Sequence, residues 1–322
     1  MTPQEYMEFL QVQCSEEWGL SRPDFPQNLQ KQREELLSRL PSPYKEAAGR
    51  LYSTSPSVLD LNKRLTEMIR AEIQKLLPEK DWQRVADVPA GILPSAELNG
   101  FAIRTASGGN VVVLNAGLIG VLHGVNKTFM KLTLAEEGEG TKMDLEEAES
   151  LIKRFPEYAR SVISLNRITP PKSLPVGKGQ MAIANIYTNI QELFFFVHEY
   201  QHILLGHLDD YASTISLLQI PEAVDVYTQS QQQEMSADTA AMETIRHAGH
   251  GDPNIQAAAL ALVFSLLSLC ESMDDNVDKR PTTHPPAAER KRNILSCLDK
   301  DIHQGGRDLL RKIDVFFEYC RT

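Results

Sequence analysis

The segment Phe194-Phe195-Phe196-Val197-His198-Glu199-Tyr200-Gln201-His202 constrains this chain more than any other. Its apolar lead-in marks a buried helix. Burying two histidines and a glutamate without partners would cost several kcal/mol, so the pattern calls for something that compensates them. Residues four apart on a helix stand only about 40° from each other around the axis, so His198 and His202 project from one face and can share one zinc ion. Glu199 comes about 100° further round, beside the metal rather than on it. A general base must stand there to take a proton from a metal-activated water, whose pKa falls to about 7. The spacing therefore implies metal-assisted hydrolysis.

A catalytic zinc needs three protein ligands and one open position. The run Gln231-Gln232-Gln233-Glu234-Met235-Ser236-Ala237-Asp238 reads as the start of a second helix carrying E-x-x-x-D. The same four-residue geometry puts Glu234 and Asp238 on one face. Glu234 is the expected third ligand. Asp238 can then accept the spare ring N–H of a ligand histidine and fix its tautomer. One zinc per chain follows.

These residues resemble the gluzincins, the thermolysin-type peptidases with a His, His, Glu zinc site. Three further stretches are similar to the HtpX-like and CAAX prenyl protease-like branch. His207 extends the motif to H-E-x-x-H-x-x-x-x-H, and Thr283-His284-Pro285-Pro286-Ala287-Ala288-Glu289-Arg290 looks like its T-H-P-P-x-x-x-R motif. Asn99-Gly100-Phe101-Ala102, followed by Val111 to Leu118, looks like its N-A-F-A strand and a return strand ending in G-L. The resemblance spans about residues 95 to 292 and leaves the first quarter of the chain outside it.

The resemblance implies an α+β fold, a mainly helical zincin-type core with a small β-sheet over the active-site helix. It implies an endopeptidase acting on a protein or peptide, with Glu199 as general base. It places His284 in the cleft as a helper at the oxyanion and packs Arg290 against the site. An extended substrate would add to the edge strand at Gly100, Phe101 and Ala102 through backbone hydrogen bonds. His207, about half a turn off the ligand face, should not bind the same zinc. Its own residue context leaves two readings, a cap at the helix end or a role in the cleft.

Members of that branch are usually embedded in a membrane. Here the most apolar run, Ala257 to Cys270, falls short of the ~20 residues that span a bilayer and reads as a buried core helix. Soluble peptidases of the Lit-like phage-exclusion type are similar in motif and size. With 42% hydrophobic and 24% charged residues the chain has the composition of an ordinary globular protein. Its net charge of -10 argues against nucleic acid as the main partner, which would require a basic face. Met1-Thr2-Pro3-Gln4-Glu5-Tyr6 lacks the basic-then-apolar order of a signal peptide. Cys14, Cys270, Cys297 and Cys320 show no close pairing. A reducing cytoplasm is the expected setting, and the oligomeric state stays open.

Along the chain, leucine stripes at Leu36, Leu37 and Leu40, then from Leu59 to Leu76, predict helices in an N-terminal accessory region over 1–80. The peptidase domain would occupy 81–322. A change to period two around Pro89-Ala90-Gly91, Phe101 and Val111, with the turn Ser107-Gly108-Gly109-Asn110 between the last two, predicts a β-hairpin. The acidic and proline-rich stretch from about 134 to 180 predicts an insertion or lid. His247 and His250 read as helix-ending residues.

Two rival functions share the zinc ligands. A metal-dependent partner-binding protein would not need Glu199, and a small-molecule amidase would not need an extended strand groove.

Overall fold

Along Asn110–Asn115, Val112 and Leu114 alternate with Val111 and Val113, and all four are buried. A strand that is apolar on both faces belongs in the middle of a sheet, and it sits there. The computed structural model describes residues 2–17, 58–93, 95, 98–105, 107–134, 144–153, 176–208, 231–247, 251–273 and 285–321. Its sheet has three strands, β1 (Ala90–Leu93), β2 (Gly100–Arg104) and β3 (Asn110–Asn115), in the order β1-β3-β2. The predicted hairpin is β2 and β3, antiparallel with Phe101 opposite Val113. Its turn closes on Gly108, whose φ of 86° suits glycine. The stretch at Ala90 is instead a third strand, parallel to β3 on its far side, with Gly91 opposite Val113.

Period two then assigns the faces. Val111 and Val113 pack with Leu93 and with Met7 of helix α1 (Pro3–Glu17). Val112, Leu114 and Ala102 face the other way, into the main core. Within the stretch read as an accessory region, α1 thus covers one face of the sheet. Helix α2 (Val58–Leu76) sends Ile69, Ile73 and Leu76 into the main core. The Leu36, Leu37 and Leu40 stripe lies outside the described residues.

After the short helix α3 (Glu79–Val85) and the sheet, α4 (Ala116–Thr133) leads to α5 (Lys178–Leu204), which carries the H-E-x-x-H segment. Most of the expected 134–180 insertion lies outside the described residues. The helical part over 145–153 buries Ala148 and Ile152 in a cluster with Val125 and Phe129 of α4.

Among the described residues the remaining helices are α6 (Gln231–His247), α7 (Pro253–Met273), α8 (Ala287–Leu298) and α9 (Gln304–Arg321). His247 is the last described residue of α6, and His250 lies outside the described residues. Helix α7 corrects one expectation. Asn254 and Gln256 before the apolar run and Glu271 after it continue the helix, so Pro253–Ser272 is long and apolar enough to cross a membrane by length and composition. Here it serves as a core helix packed against α5, α8 and α9, with Ala257 through Phe264 buried. Phe194 of α5 meets Phe264 of α7 edge to face, ring centroids 5.9 Å apart.

Candidate metal centre

Helix α5 is buried continuously from Ile190 to His202, so its polar residues cannot turn to solvent and must find partners inside. His198 and His202, one turn apart, bring their Nε2 atoms to 3.1 Å from each other. Glu234 enters from α6, which crosses α5 and is tied to it by a hydrogen bond from Gln201 Nε2 to Thr244 Oγ1 of 3.1 Å. Its carboxylate approaches both rings, Oε2 at 3.5 Å from Nε2 of His198 and Oε1 at 3.4 Å from Nε2 of His202. All three side chains are at most 3% exposed. Two imidazole nitrogens this close to each other and to a carboxylate need a cation among them, either a shared proton or a metal ion. The three donor atoms lie within 4.8 Å of one another, and this group could hold a metal ion.

The outer nitrogens are also engaged. Nδ1 of His198 stands 2.9 Å from Oδ1 of Asp238, close enough for charge attraction although off the axis of a ring N–H. Asp238 is clasped by Arg290 as well, Nε to Oδ2 at 2.8 Å and Nη2 to the same Oδ1 at 2.7 Å. Arg290 also approaches Oε2 of Glu234 at 3.7 Å, and its guanidinium lies 5.1 Å from the centroid of the Phe264 ring. Two sequence features aim it there. Pro286 caps α8, putting Arg290 in its first turn, and Asn293 hydrogen-bonds to Met235 O and Thr239 Oγ1 of α6.

Electrostatics follow from this packing. Burial disfavours charge on His198, but Asp238 and Glu234 outweigh it and raise its pKa. For His202, burial and then the neighbouring His198 push the pKa down. Burial would raise Asp238, yet Arg290 and then His198 hold it below the usual carboxylate range. In the absence of a metal, a proton added to the two neutral rings is therefore favoured on His198 over His202.

Glu199 is buried beside these groups and faces strand β2. Its Oε1 lies 3.6 Å from the place a Cβ on Gly100 would take. Gly100 is also pinned by its cross-strand partner Leu114, whose Cδ2 would lie 2.2 Å from that Cβ. The structure thus gathers His198, Glu199, His202, Glu234, Asp238, Arg290 and Gly100. Ala102 shares the α5-facing side of β2, whereas Phe101 turns to the opposite face, among Met7, Val111 and Val113. His284 lies outside the described residues.

His207 lies against His202 rather than among the three donors, Nδ1 to Nδ1 at 2.9 Å. It is half-buried, and burial lowers its pKa. Phe264 and Ser236, which support Arg290 and His207, carried no sign in the sequence beyond their helical positions.

Buried His, His and Glu donors with a second carboxylate beside them define a metal-site class, and the sequence defines the family. The model of the Peptidase U49 family matches residues 123–305, more than half of the chain and including every proposed metal donor. The chain belongs to the Peptidase U49 family and is by that membership a peptidase. No curated protein and no solved structure matches it.

Proposed function

We propose that this peptidase is a zinc-dependent endopeptidase of the gluzincin type, acting on a protein or peptide substrate. The observation that carries the reading is the donor spacing. Tetrahedral zinc with ligands at about 2.0–2.1 Å sets neighbouring ligands roughly 3.3–3.4 Å apart. Nε2 of His198 and Nε2 of His202 are 3.1 Å apart, and Glu234 approaches each through a different carboxylate oxygen, at 3.5 and 3.4 Å, with one donor atom from each of the three residues lying within 4.8 Å of the others. One zinc per chain would sit on these three residues. When bound, it would supply Lewis acidity, lowering the pKa of a water and polarising the scissile carbonyl.

The chain's own residues account for the rest. Glu199, next to the ligand helix face and turned to β2, takes a proton from the attacking water and returns it to the leaving nitrogen. Arg290 neutralises Asp238, which steadies His198. Among the described residues β2 is an edge of the sheet, and a strand lying beside it would pass Glu199 at Gly100. Backbone pairing there would hold many sequences in one extended shape. Phe101 would contribute only its backbone, since its side chain faces away. His284, two residues before Pro286 in the sequence, would be the helper at the oxyanion.

Expressing the wild type beside Glu199→Gln and mapping new protein termini tests the proposal. New termini should appear with the wild type alone, while both proteins retain zinc. Equal termini from both would overturn Glu199 as the base. Zinc without new termini in either would point to the partner-binding alternative.

A further inference from the structure

Helix α5 ends in a way that sends the chain back over its own last turn. Gly206 adopts φ of 74°, the left-handed conformation, and its N–H bonds to Ile203 O at 3.1 Å. The N–H of His207 bonds to His202 O at 2.9 Å. This pair of bonds is the Schellman closure of a helix. It reverses the chain within one residue, so the side chain five positions after His202 returns onto the His202 ring. The two rings meet edge to face, centroids 5.1 Å apart, with the Nδ1 atoms 2.9 Å apart.

We propose that His207 is a positioning residue for His202, accepting its Nδ1–H and thereby holding its Nε2 bare and aimed at the metal. The inference rests on reading His202 as a metal ligand. A neutral histidine that ligates through Nε2 carries its proton on Nδ1, so His202 must be the donor in the 2.9 Å contact. His207 then accepts at Nδ1 and carries its own proton on Nε2. That atom faces Ser236 Oγ at 3.4 Å, and Ser236 donates onward to Gln233 O at 2.8 Å. Each group in the chain has one donor and one acceptor assigned, and every step runs in the same direction. The last acceptor is a backbone carbonyl on α6, the helix that brings Glu234, so His207 also ties the orientation of one ligand to the helix of another.

The two ligand histidines are thus supported differently. His198 leans on a carboxylate already clasped by Arg290, whereas His202 leans on a neutral ring that brings no further negative charge to a crowded acidic site. The H-E-x-x-H-x-x-x-x-H spacing, with glycine before its last histidine, encodes this arrangement locally.

Zinc titration of the full chain in competition with a chromophoric chelator tests it. His207→Leu, which fills the space but accepts nothing, should bind zinc 10- to 100-fold more weakly, roughly the cost of losing a partner behind a metal ligand. His207→Asn, whose Oδ1 takes the place of Nδ1, should stay much nearer the wild type. Metal-free melting temperatures control for folding, and His207→Ala carries the same expectation as leucine if the leucine variant does not fold. Leucine or alanine binding as tightly as wild type, or asparagine as weakly as leucine, would overturn the proposal. If the wild type takes up no zinc, the metal-ligand reading itself fails, a result visible before any variant is compared.

Discussion

Arg290 clasps Asp238 through two hydrogen bonds, of 2.8 and 2.7 Å, in a place where Asp238 has no exposed surface. Removing one partner of such a pair leaves an uncompensated buried charge, which costs about 3–5 kcal/mol. Arg290→Ala should lose stability on this scale in urea unfolding. Arg290→Lys should recover only part of it, since an ammonium cannot grip both oxygens in the plane of the carboxylate. A loss under about 0.5 kcal/mol, as for a surface site, would contradict the arrangement.

Metal analysis of the purified wild type should find one zinc per chain. His202→Ala leaves two of the three donors and should lose most of the metal. Stripping with a chelator should lower the melting temperature of the wild type, because a ligand that binds only the folded state stabilises it by about 2.7 kcal/mol at a hundredfold excess over Kd. The melting temperature of His202→Ala should be nearly insensitive to the chelator. Unchanged zinc content in this variant would reject the site.

Gly100→Ala should damage both the sheet and the site. A Cβ there would meet Leu114 Cδ2 at 2.2 Å and the backbone oxygen of Val113 at 2.9 Å. The leucine can turn, but the carbonyl belongs to the hairpin ladder, so β2 must shift. Overpacking of this kind typically costs about 1–3 kcal/mol. Because Glu199 is the next neighbour at 3.6 Å, turnover measured well below the melting temperature should fall as well. Full turnover in a destabilised protein would mean that Glu199 does not depend on the position of β2.

Glu192 makes stability depend on pH. It stands two turns before Glu199 on the same face of α5, is 7% exposed, and burial pushes its pKa from 4.5 up to about 7. Between these values the folded protein holds a proton that the unfolded chain has released, so this group's contribution to stability falls as pH rises through that window. Each pKa unit corresponds to about 1.4 kcal/mol, which makes the cost of ionising it roughly 3 kcal/mol at pH 8. Glu192→Gln should therefore be more stable than wild type at pH 8 and lose that advantage by pH 4.5. The same difference at both values would show that Glu192 titrates normally.

Local periodicity was enough to place part of the site. Four residues per helical step put His198 and His202 on one face and Glu199 beside them, and no tertiary contact is needed for that. The E-x-x-x-D step did the same for Glu234 and Asp238 on their own helix. The apolar run Val111 to Leu114 after the turn Ser107 to Asn110 likewise marked the hairpin. What periodicity could not supply is the relation between elements. Glu234 reaches the histidines only because α6 crosses α5, and Arg290 reaches Asp238 only because α8 packs on α6. Ala90–Leu93 became a parallel strand because β3, apolar on both faces, has two edges to pair, a pairing that no local pattern announces. The length of α7 was misjudged because polar Asn254 and Gln256 continue a helix whose burial comes from its neighbours, not from its own composition. The spacing of His207 was visible in the chain, but whether its ring caps the helix, enters the cleft or meets His202 depends on the φ of Gly206. The sequence alone thus determined which side chains share a face. Only packing decided which faces meet, because the burial that holds them together is non-directional and sums over residues distant in the chain.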